Sequence, residues 1–170
     1  MKGRLILIML IVPAIAFSEK TLFAAAENGD VAFIKGYRGD VDAADDIGRT
    51  ALMYAAERGQ TAAVKALLKA KANINAANKY GWTALMFAAD NGRTETLKAL
   101  LAAKADANAA DNEGTTALML AALKGKPDMV KALLEAKAEV NAVNKKGWTP
   151  LNLATDPAVI KLLKESGAKE

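Results

Sequence analysis

The chain contains no cysteine and no histidine. Serine occurs only at Ser18 and Ser166, and aromatic residues make up 5% of its 170 positions. Each absence closes off a function. Without His or Cys, neither a Ser-His-Asp nor a Cys-His nucleophilic arrangement can be built. Metal sites of the Cys/His type are excluded for the same reason. No disulfide can brace the fold. No glycine-rich phosphate loop follows a strand, and no cofactor is expected. Asp45 with Asp46, and Asp111 with Glu113, are acid pairs. A pair working as acid and base needs an enclosed setting to separate its two pKa values, and projecting loops do not supply one. The reading is therefore a protein that is not an enzyme. What the chain does have is 52% hydrophobic residues. Ala, Leu, Val and Met dominate, a composition that lets helices approach closely.

Those residues recur at a fixed interval. Thr50-Ala51-Leu52-Met53-Tyr54-Ala55-Ala56 returns as Thr83 to Ala89 and again as Thr116 to Ala122, 33 residues apart each time. Gly48, Gly81, Gly114 and Gly147 keep the same step, as do Gly59, Gly92 and Gly125. A period of this size means stacked supersecondary units rather than one globular core. Within a unit, Ala51 to Arg58 reads as a helix with Leu52, Ala55 and Ala56 on one side. Thr50 stands at its N-cap, and Gly59 ends it in a left-handed turn. A second helix runs from about Thr61 to Ala70 and buries Val64, Leu67 and Leu68. The remainder, from Ala72 to Gly81, carries turn residues and projects as a loop or short hairpin. Both ends are shortened to meet water: the first unit lacks three residues in its second helix, and the last has no counterpart of Leu123-Lys124-Gly125.

Residues 1–16 read as a secretory signal peptide. Lys2 and Arg4 precede the apolar run Leu5 to Val12, and Pro13 leads into Ala14-Ile15-Ala16. The apolar stretch to Phe17 is 13 residues, short of the roughly 20 needed to span a bilayer. Cleavage after Ala16 is the first choice and after Ser18 the second; an uncleaved anchor is the alternative. Loss of this segment removes two positive charges and lowers the net charge from +4 to +2. That is too little to argue for nucleic acid.

The period, the Gly-x-Thr-x-Leu-x-x-Ala-Ala opening, the Leu-Leu pair and the Asn-Ala close resemble ankyrin repeats. The resemblance covers about residues 20–170, in units of about 20–44, 45–77, 78–110, 111–143 and 144–170. It implies an all-α repeat fold, an α-solenoid with short β-hairpin fingers: three full repeats between two shortened caps, forming one domain over 17–170. It also implies binding of another protein through the finger tips and adjoining helices. Two departures recur. Met53, Met86, Met119 and Asn152 stand where the family favours a His that ties neighbouring loops. Lys71, Lys104 and Lys137 stand where it favours Gly, at about 1 kcal/mol of strain if left-handed.

The candidate protein-binding residues lie on the fingers: Asp46, Ile47 and Arg49; Lys79, Tyr80 and Trp82; Asn112, Glu113 and Thr115; Lys145, Lys146 and Trp148. Aromatics there are the types that dominate interface energetics, and Tyr80 and Trp82 are expected to project beyond the core. A lysine row (Lys35, Lys65, Lys98, Lys131, Lys161) reads as a solvated face. The expectation is a non-catalytic interaction module exported to a periplasm or secreted, monomeric alone, with no transmembrane segment in the mature chain. A secreted effector, or an accessory of a periplasmic stress-defence enzyme, is the alternative.

Overall fold

The computed structural model describes residues 22–169; the signal-peptide expectation falls outside them. Among the described residues, ten helical segments follow one another. The first, α1, covers 22–28, and α2 spans Val31–Gly36. Three pairs of near-identical length come next: α3 Ala51–Arg58 with α4 Thr61–Lys69, α5 Ala84–Asp90 with α6 Thr94–Ala102, and α7 Ala117–Leu123 with α8 Pro127–Glu135. The array closes with α9 Pro150–Leu153 and α10 Pro157–Glu165. Shortening is visible at both ends, where α2 has 6 residues against 9 in α4 and α9 has 4 against 7 in α7.

Two layers result. Helix α3 packs on α5, α5 on α7 and α7 on α9, while α2, α4, α6, α8 and α10 stack in the same order behind them. Leu52, Leu85 and Leu118 are buried between the layers, with Val64, Leu97 and Val130 facing them from the second. Each fully buried side chain of this kind stabilises by roughly 1.5–3 kcal/mol. Met53, Met86 and Met119 are also buried, so they fill by packing the place where ankyrin repeats favour a histidine. Leu68 is only half-buried; Ala63 takes the inward place instead.

Helix ends follow the sequence closely. Gly59 has φ 75°, and Lys71, Lys104 and Lys137 have φ of 67°, 70° and 63°. These three lysines are left-handed because the next N–H must turn back: Ala72, Ala105 and Ala138 donate to the carbonyls of Leu67, Leu100 and Leu133, satisfying groups the helix leaves open. The threonine caps divide. Thr83, Thr116 and Thr149 accept through their hydroxyls from Met86, Met119 and Asn152. The Thr50 hydroxyl does not cap; it is buried without a partner, and the Met53 N–H goes to the Thr50 carbonyl instead.

The fingers are slighter than hairpins. Among the described residues they contribute single bridges only, at Ala44–Thr50, Ala77–Thr83 and Ala110–Thr116. Longer strands do not form because the turn consumes the backbone donors. In each finger an Asp or Asn (Asp45, Asn78, Asp111, Asn144) accepts through one side-chain oxygen from the N–H groups two and four residues on.

The missing polar tie is made elsewhere, by oxygens handed from one unit to the next. Asp42 accepts from the Asn73 N–H at 2.7 Å, Asn75 from Asp106 at 2.9 Å, Asn108 from Glu139 at 2.7 Å and Asn141 from Lys169 at 2.9 Å. The fingers also join tip to tip. Lys79, Asn112 and Lys145 donate backbone N–H groups to the carbonyls of Ile47, Tyr80 and Glu113 at 3.0, 3.0 and 2.9 Å. Gly81 is required by this approach: at φ 81°, a Cβ there would lie 2.8 Å from the Asn112 nitrogen.

Candidate functional site: the finger face

The fingers and the α3–α5–α7–α9 layer share one face, because finger side chains fold back over those helices. Its first half is filled. Phe23 and Tyr54 stack with centroids 5.6 Å apart. The Arg49 guanidinium lies 4.1 Å from the Tyr54 ring centre and 4.6 Å from that of Phe87, and pairs with Glu57. Phe87 in turn packs on Trp82 at 5.2 Å. The indole N–H of Trp82 donates to Asp111 Oδ2 at 3.1 Å. Cation–π contacts of this kind contribute about 0.5–1 kcal/mol each at exposed sites, and more when desolvated. The result is a continuous ladder from Phe23 to Asp111.

Tyr54 adds a bond to this ladder, its hydroxyl donating to Asp45 Oδ2 at 2.7 Å. Burial pushes the Asp45 carboxyl up, but the N–H groups of Arg49 and Ile47 and the Tyr54 hydroxyl outweigh it and hold it below the usual range. Burial, and then the bond to Asp45, raise the Tyr54 hydroxyl above its ordinary value.

The second half is hollow. Where the ladder has Tyr54 and Phe87, the next units have Leu120 and Leu153; where it has Arg49 and Trp82, the next has Thr115. The smaller side chains leave a depression of about 260 Å³ bounded by Thr115, Leu120, Leu123, Leu153 and Trp148. Leu123 is 52% exposed and Trp148 45% exposed, with the Lys146 ammonium 5.1 Å from the Trp148 ring centre. A second shallow depression of similar size lies over Trp82 and Phe87, rimmed by Ile47 and Tyr80, which are 41% and 60% exposed.

The sequence-derived residues therefore separate. Asp46, Ile47, Lys79, Tyr80, Asn112, Glu113, Lys145, Lys146 and Trp148 are exposed, whereas Arg49, Trp82 and Thr115 are half-buried. Tyr80 projects as expected; Trp82 does not, because Phe87 beneath it and Asp111 beside it draw the indole onto the stack. Leu123 and Leu153, which bound the hollow, were not among those residues; the signal for the first was the change from acid (Glu57, Asp90) to leucine at position 123, and for the second the change from aromatic (Tyr54, Phe87) to leucine. The lysine row lies on the opposite, second-layer face, all five exposed. Among the described residues, no helix is long and apolar enough to cross a membrane.

Comparison with known proteins agrees with this architecture. None of the curated proteins compared matches the chain. The family model of ankyrin repeats, in three copies, matches residues 22–111 and again 94–170. With two layers of paired helices, linked fingers and a family match along all but its first residues, the chain belongs to the ankyrin-repeat family.

Proposed function

We propose that this chain is an exported, non-catalytic docking module that holds a segment of another protein along its finger face. Ankyrin repeats mediate binding to other proteins, and their proteins are typically not catalytic. Export rests on the Lys2-Arg4 start, the apolar run and the Ala14-Ile15-Ala16 exit. The observation that carries the docking reading is the row of exposed apolar side chains on one face, Ile47, Tyr80, Leu123 and Trp148. It offers two largely apolar depressions, with polar Asn112 exposed on the finger between them and Glu113 in the wall of the second. A partner segment that fits has two apolar anchors separated by polar residues. The experiment is affinity capture from the native host, comparing the wild type with Tyr80→Ala/Trp148→Ala. A partner held by the wild type should bind the variant about 2 kcal/mol more weakly, the usual scale of an interface hot spot, at unchanged melting temperature. Full affinity in the variant overturns the finger face as the site. Sequencing the N-terminus of the host-made protein tests export, with an intact Met1 in soluble cytoplasmic material counting against it.

A further inference from the structure

The face opposite the fingers carries a second recess. Helix α2 stops three residues earlier than its counterparts, and the missing turn leaves space beside the end of α4. A Cβ placed on Gly36 would meet nothing within 4 Å. The cleft is about 370 Å³ in volume, with Ile34, Ala66 and Ala70 in its floor and Tyr37 at its side. Its rim is cationic: Lys35, Arg38 and Lys69. Arg38 is held across the mouth by donating to the carbonyls of Lys35 and Tyr37 at 3.1 and 3.0 Å, which offsets the negative end of α2. Lys65 and Lys71 extend the same patch along α4 and its C-terminal turn, both exposed. Among the described residues, no carboxylate pairs with any of these five cations.

The rest of that face differs. Lys98 lies 3.6 Å from Glu95 and Lys161 lies 3.8 Å from Glu165, while Asp128 and Glu135 flank Lys131 on α8. An extended anionic plane laid along the whole face would meet those acids. The attraction is therefore local to the first two units. It is also wider than one anion, because Lys65 and Lys69 are a full helical turn apart, about 6 Å, and neighbouring helices stand roughly 8–10 Å apart.

We infer that the α2–α4 cleft is a second docking site, for a short acidic segment of a partner protein that places one apolar side chain on the Ile34–Ala66–Ala70 floor. Carboxylates on either side of that anchor face Lys35 on α2 and Arg38 just past its end, and Lys65 and Lys69 on α4 with Lys71 in the turn that follows. The site is independent of the finger face, and a segment held here leaves the two finger-side depressions free.

The test is titration of the isotopically labelled protein with a short oligoglutamate peptide carrying one central phenylalanine, followed by amide NMR at near-physiological salt. Shifts should concentrate between Ile34 and Arg38 and at the end of α4. Lys35→Glu/Lys69→Glu should weaken binding by about tenfold or more, and the neutral Lys35→Gln/Lys69→Gln by less, each at unchanged melting temperature. Lys98→Glu/Lys131→Glu should leave the affinity within about twofold, since charges beyond roughly 8 Å are screened. Replacing the phenylalanine by alanine should weaken the peptide severalfold. Equal affinity for the reversed and wild-type proteins, or shifts spread evenly along all five units, overturns the site. So does equal binding of the alanine peptide, which reduces the patch to simple charge attraction. Binding of phosphatidylglycerol vesicles without binding of the peptide overturns it in favour of a membrane surface.

Discussion

Trp82 and Trp148 hold the same place in the repeat, yet one is fastened and the other is free. Trp82 lies on Phe87 and gives its N–H to Asp111 of the following finger. Trp148 has no described finger after it and stands 45% exposed beside the hollow at Leu120. The fingers themselves alternate Asp45, Asn78, Asp111, Asn144. All four use one side-chain oxygen identically, to close the turn. Only the acids have a second acceptor, since an amide presents N–H groups there instead. The second oxygen of Asp45 takes the Tyr54 hydroxyl, and that of Asp111 takes the Trp82 indole. Place in the repeat thus gives a side chain its direction, and the next finger decides whether it becomes framework or stays exposed.

The common core sets the scale for testing this. Leu85→Ala, between the two halves, should cost about 2–5 kcal/mol. In a linear stack each unit supports both neighbours, so hydrogen exchange should show lost protection in α3 and α7 as well as in α5 and α6. Loss confined to α5 and α6 breaks the picture of one continuous array. Next comes Trp82→Ala, expected to cost about 2 kcal/mol, below the roughly 3–5 of a fully buried Trp. Trp148→Ala should stay within about 0.5 kcal/mol. Similar denaturation midpoints for the two variants would erase the distinction between fastened and free. Asp111→Asn should cost about 1 kcal/mol, one hydrogen bond, and shift the Trp82 fluorescence while leaving the turn intact.

The smallest effect concerns acid. Because the Asp45 carboxyl is held below its ordinary value, the stability it contributes is complete above the unfolded value of about 3.9. It is lost as pH falls through the folded value. Asp45→Asn, which retains the turn-closing oxygen, should melt with a flatter pH dependence below about pH 4 than the wild type. Parallel acid limbs would detach Asp45 from the ladder.

Much of this was legible in sequence because a repeat prints its own boundaries. The limits of α3, the left-handed Gly59 and both shortened caps follow from residue types compared at a fixed step, while the left-handed Lys71 was only a condition raised by the family's glycine at that place. Three things were not. The fingers read as loops or short hairpins without a choice between them, since turn residues between short arms look the same whether the donors go to a facing strand or to an Asp oxygen. The filled half of the finger face depends on Arg49, Tyr54, Phe87, Trp82 and Asp111 meeting across three units, and a comparison of like positions never places unlike positions side by side. The Thr50 hydroxyl was expected to cap from its place just before α3, yet the backbone carbonyl takes the Met53 N–H in its stead.

Three of the bonds from finger to finger run from backbone N–H to backbone carbonyl, at Lys79 to Ile47, Asn112 to Tyr80 and Lys145 to Glu113. No side chain at these tips takes part in them. Ile47, Tyr80 and Glu113 can each be exchanged for a residue other than proline without loss of these three bonds; a proline at 79, 112 or 145 would remove their donor, and one at 47, 80 or 113 a donor to the turn-closing oxygen of Asp45, Asn78 or Asp111. The proposed docking surface can therefore change by single substitutions at nearly constant stability. Such a lineage can wander across binding specificities without passing through an unfolded ancestor.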